Sequence, residues 1–72
     1  MNATDQLAGY IHQIDTIKVE MEKHWAAARK RIDARHIEDA VSVLNEFFSL
    51  KRELQRVEFA LQRLLHSDFA DK

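Results

Sequence analysis

Arg29-Lys30-Arg31-Ile32-Asp33-Ala34-Arg35-His36-Ile37-Glu38-Asp39-Ala40 is the stretch whose reading decides the fold. Before it, Leu7, Ile11, Ile14, Ile17, Met21, Trp25, Ala28 and Ile32 recur in steps of three and four, the stripe of an amphipathic helix. After it, Ile37, Ala40, Leu44, Phe47, Leu50, Leu54, Val57, Leu61 and Leu64 do the same. From Ile32 to Ile37 the step is five, so the two stripes do not join on one face. The residues between, Asp33 to His36, form the longest mid-chain stretch without a large apolar side chain. The break predicts a turn, with one helix over about 5–33 and another over about 36–66. At 1.5 Å per residue these are about 43 and 46 Å long, a match that favours an antiparallel hairpin.

The rest of the chain agrees with an all-α reading. Its 72 residues contain no proline, no cysteine and one glycine, Gly9, so nothing in either segment interrupts a helix. Gly9 costs about 1 kcal/mol against alanine and predicts fraying of the first turns. Asn2 or Thr4 suits the first N-cap, Asp5 the positive helix end, and Arg29, Lys30 and Arg31 the negative end. Asp33 is the expected N-cap of the second helix, with Glu38 and Asp39 in its early turns. Residues 1–72 thus make a single domain ending in a short polar tail at 67–72 that carries Phe69. The competing reading, one continuous helix of about sixty residues, conflicts with the register break.

A lone hairpin leaves apolar surface uncovered. Between Ile37 and Leu50, eight of fourteen residues are apolar, wider than the ~100° stripe one neighbour covers. The economical solution is a homodimer in which two hairpins form a four-helix bundle. The expected core and dimer residues are Ile14, Ile17, Met21, Trp25, Val41, Leu44, Phe47, Leu54, Val57 and Leu61. Lys18 and Lys51 fall where a strict heptad wants an apolar residue, which fits side chains snorkelling past the seam or a device that fixes register.

Chemistry is sparsely represented. Glu20 and His24 lie four apart and Asp33 and His36 three apart, but no Glu-x-x-His unit occurs and the four histidines are widely spaced. No metal or other cofactor is expected. Ser42, Ser49 and Ser67 lack an elbow-like glycine context, there is no thiol, and Arg52, Glu53 and Arg56 read as a solvated helix face. An enzyme is therefore not expected. Eleven basic against twelve acidic residues give a net charge of −1, which disfavours a dedicated binder of nucleic acid or anionic membrane. The local cluster Arg29, Lys30, Arg31 and Arg35 is the one candidate phosphate-binding tip. Absence of cysteine and of a signal-like N-terminus predicts a cytoplasmic protein, and no apolar run is long enough to span a membrane.

Helical surfaces remain as the carriers of function. Tyr10, Phe48 and Phe59, lying on or beside the stripe edges, together with Arg56, are the expected contacts with another protein. In layout, through Met21 to Ile32 and Leu54 to Leu65, the chain resembles co-chaperones of type III secretion needle subunits. It also resembles small phage-encoded proteins that disable a host regulator or motor. The layout carries no diagnostic motif, and no family is assigned from it. The first likeness implies shielding of a helical client, the second docking on a regulatory or motor protein to block it. The blocking or shielding module is the leading expectation, followed by the needle-type co-chaperone and then a small DNA-binding regulator using the basic tip.

Overall fold

The computed structural model describes residues 3–68, which form helix α1, Ala3–Asp33, and helix α2, Ile37–Asp68. The two pack along their length as an antiparallel hairpin of 54 × 16 × 14 Å. Their 31 and 32 residues confirm the matched lengths expected from the apolar stripes. Thr4 lies inside α1 and is not its cap; Asn2 and Phe69 lie outside the described residues. The helical segment continues through Ser67 and Asp68, which the sequence pattern assigns to the tail.

The turn is built differently from expectation. Asp33 is the last residue of α1 rather than the cap of α2, and His36 occupies the position before α2, its carbonyl accepting from the Ala40 N–H at 3.1 Å. The chain reverses because Arg35 adopts φ 68°, in the left-handed region. His36 N–H then reaches back to the Arg31 carbonyl at 2.8 Å, and Arg35 N–H to the Ile32 carbonyl at 3.0 Å. This pair of bonds is a Schellman closure, which normally places glycine where Arg35 stands. An L-residue there costs about 1–2 kcal/mol, and the closure satisfies carbonyls that α1 would otherwise leave bare.

Along the seam, Ala40, Val43, Phe47, Leu50, Leu54, Val57, Leu61 and Leu64 of α2 alternate in steps of three and four, and all are buried or half-buried. A row of the same heptad spacing on α1 runs Leu7, Tyr10, Ile14, Ile17, Met21, His24, Ala28 and Arg31, again all buried or half-buried. This row differs from the apolar stripe at three places. Tyr10, His24 and Arg31 take the seam positions, while Ile11, Trp25 and Ile32 turn out to one flank and stay 47%, 54% and 45% exposed. Trp25 and Val41, expected in the core, are therefore not buried within the single hairpin. Among the described residues only Ile17, Ala28, Ala40 and Leu64 are buried, and no large side chain is fully so.

Candidate functional site: an apolar flank opposite a polar one

The heptad divides the hairpin into two unlike sides. One flank carries Ile11, Lys18, Trp25 and Ile32 of α1, at seven-residue intervals, beside Ile37, Val41, Leu44 and Phe48 of α2. Toward the turn this flank is almost wholly apolar. Trp25, Ala28, Arg29, Ile32 and Leu44 line an open groove of about 190 Å³. Next to it, Lys18, Met21, Glu22, Trp25, Phe47 and Leu54 line a second of about 320 Å³. Trp25 separates the two, packed on Phe47 with ring centroids 5.6 Å apart, and Phe47 in turn meets Phe48 edge-on at 5.7 Å. Such tilted pairs fix the rings' orientation and contribute about 0.5–1.5 kcal/mol beyond area burial. Phe48 and Val41 nevertheless remain 47% and 51% exposed, so the aromatic row is anchored but uncovered.

The opposite flank is polar. Glu20, Lys23, His24, Ala27 and Arg31 of α1 face Val43 and Glu46 of α2. His24 is the side chain that joins the helices here. Its Nδ1 lies 2.8 Å from the Glu20 carbonyl and its Nε2 2.7 Å from Oε2 of Glu46. Both partners are acceptors, so both ring nitrogens donate when the imidazole is protonated. The bonds to the Glu20 carbonyl and the Glu46 carboxylate raise the His24 pKa above its ordinary value, partly opposed by desolvation. Arg31 curls along its own helix, donating from Nη1 to the Ala27 carbonyl at 3.1 Å, and Lys23 sits 3.6 Å from Glu20 at the surface. The sequence pairs His24 with the Glu20 side chain; the structure pairs it with the Glu20 backbone and with Glu46 across the hairpin. Heptad spacing through Ile17, Met21 and Ala28, extended to position 24, is the signal that locates it in the seam.

A raised pKa in the folded state gives a definite sign. The bonus from protonated His24 is complete below the unfolded pKa of about 6.5 and is lost as pH rises through the higher folded value. The thermal midpoint is therefore expected to fall as pH rises from below about 6.5 through the higher folded value. His24→Gln, followed by circular dichroism melts, should flatten that slope, and Glu46→Gln should reduce it while leaving the larger effect of the Glu20 carbonyl in place; an unchanged slope in His24→Gln would assign the pH dependence to another group.

The four expected protein contacts occupy different environments. Phe48 belongs to the apolar flank. Tyr10 is in the seam, bordering a cleft of about 370 Å³ at the open end with Gln6, Ala60, Arg63, Leu64 and Ser67. Phe59 is 62% exposed, and Arg56, three residues before it, is its neighbour on the outward surface of α2. The basic cluster is dispersed: Arg29 borders the apolar groove, Arg31 is half-buried in the seam, Lys30 is exposed, and Arg35 forms the strained turn beside Glu38 and Asp39. Lys18 and Lys51 are exposed one residue beyond the seam residues Ile17 and Leu50.

Among the described residues no group of three His, Asp or Glu side chains is placed to hold a metal ion, no catalytic constellation is present, and no helix is long and apolar enough to cross a membrane. Comparison with protein-family models, with curated proteins and with solved structures finds no match to this chain.

Proposed function

We propose that this protein is a non-enzymatic helical binding module that pairs with a second copy of itself and docks on another protein, blocking or shielding a surface that partner uses. The observation that carries the reading is the one-sided apolar flank around Trp25 and Phe48, rimmed by Lys18, Glu22 and Arg29. A contiguous apolar surface with a charged rim marks an interaction site. The exposed area supports a second copy as its first occupant. The chain exposes 5737 Å², whereas a compact protein of 8.5 kDa exposes about 4,650 Å². The excess, about 1,100 Å², is on the scale of one side of a standard protein interface, about 800 Å².

With that flank covered, the outward surface of α2 bearing Phe59 and Arg56 is the site left for a different protein. An aromatic ring beside an arginine is the usual composition of a binding hot spot. The module acts by presenting this rigid helix face to a groove or helix of its target.

The test is affinity capture from native-host lysate with the tagged protein and its Phe59→Ala and Arg56→Ala variants. One stoichiometric partner, lost from both variants while their oligomeric mass is unchanged, is the expected result. Capture insensitive to both substitutions would move the docking site elsewhere. An empty capture with salt-dependent retention on heparin would replace the reading with nucleic-acid binding.

A further inference from the structure

We infer that the second copy sits antiparallel over the turn-proximal half of the hairpin only, so that the two open ends project in opposite directions. This rests on the self-association reading above and specifies its geometry. The row on α2 that faces away from the seam on the apolar side is Ile37, Val41, Leu44 and Phe48, in steps of four, three and four. Continued along the same helix, the row becomes Lys51, Gln55, Glu58 and Gln62, all exposed. The change from apolar to polar is complete within one turn, near the midpoint of α2.

Two symmetric arrangements cover the apolar half. If the hairpins lie with their turns at the same end, the polar rows are carried into the bundle as well. Two lysines, two glutamates and four glutamines would then be drawn from water at the α2 rows alone, with α1 adding Asp15 and Lys18 of each copy. Burying such groups is unfavourable unless each finds a partner. If instead the hairpins run antiparallel about an axis between Val41 and Leu44, the apolar rows match themselves. Ile37 meets the partner subunit's Phe48, and Val41 meets the partner subunit's Leu44. Trp25, beside Phe47, and Ile32, one heptad nearer the turn, straddle the same level on α1 and meet each other across the axis. Lys51 then lies just past the partner's turn, where Asp33 and Glu38 are exposed, and the whole polar half remains in water.

The chain contains no cysteine, so a single Gln55→Cys variant carries one spin label per copy at an exposed position away from the contact. Position 55 lies twelve to thirteen residues from the axis, so the antiparallel half-overlap predicts a label separation of about 40 Å by dipolar spectroscopy. A separation below about 25 Å, in a species that sediments as a dimer, would overturn the half-overlap and leave the dimer standing, because diagonal helices of a full-length bundle lie that close. A monomer mass at tens of micromolar would overturn both.

Discussion

A Phe48→Glu variant is expected to sediment as a folded monomer at concentrations where the proposed dimer of the parent chain forms. Phe48 packs edge-to-face with Phe47, lies outside the seam row and is 47% exposed, so its loss leaves the seam intact. In the dimer it would be covered twice, once in each copy. Burying a phenylalanine is worth about 1.5–3 kcal/mol, and a carboxylate in its place adds a desolvation penalty. Because Phe48 is already about half buried in each copy, two such losses weaken association by about 10–100-fold before the carboxylate penalty is added, each tenfold corresponding to about 1.4 kcal/mol. Analytical ultracentrifugation reads the mass, and far-ultraviolet circular dichroism checks that helicity survives. Phe59→Glu is the matched control: its ring is more exposed still and lies off the apolar flank, so the dimer should persist. If Phe48→Glu stays dimeric, the apolar flank is not the self-association surface.

The turn and the pairing of two long helices were legible in the sequence because they depend on coarse features. No residue inside Leu7 to Ile32 or Ile37 to Leu64 breaks a helix strongly, and the five-residue step at Ile37 interrupts a pattern that otherwise keeps threes and fours. The face of α1 in contact with α2 was harder to read. Ile11, Trp25 and Ile32 are more apolar than Tyr10, His24 and Arg31, so hydrophobicity alone selects the former. The strict heptad on α2 supercoils the pair at 3.5 residues per turn, and a facing row through Ile17, Met21 and Ala28 then passes through 24 and 31 rather than 25 and 32. Geometry overrides hydrophobicity there, and the displaced apolar residues become the candidate site. The cap was illegible for another reason: Arg35 adopts a conformation that its side chain disfavours, and no local glycine or asparagine announces it.

The same displacement explains why so few residues hold the hairpin together. Polar side chains occupy three seam positions on α1, and alanines sit at Ala28 and Ala40 near the turn, each 1% exposed, where they let the backbones approach closely. Large buried side chains are left at Ile17, 7% exposed, and at Leu64, 8% exposed. The large buried side chains therefore lie at the middle of the seam and at its open end, while the turn-proximal half carries its large apolar residues outward. If the proposed second copy covers that flank, it contributes to the stability of the hairpin, and melting should depend on protein concentration.

Ile17→Ala should accordingly be the most damaging single truncation in the chain. Removing a buried isoleucine side chain costs about 2–4 kcal/mol, through lost transfer energy and the cavity left behind. A domain of this size has only about 4–11 kcal/mol in total. The thermal midpoint should drop by roughly 8–32 °C, since each kcal/mol shifts a domain of this length by about 4–8 °C. Ile11→Ala removes the same atoms two turns earlier, at a position 47% exposed on the flank and outside the apolar half nearest the turn. Its effect should stay within about 0.5 kcal/mol, as for surface substitutions generally. The comparison isolates register from composition, because both substitutions delete one isoleucine from the same helix. Equal shifts would mean that α1 presents its straight apolar stripe to α2, and the heptad seam through His24 would be wrong.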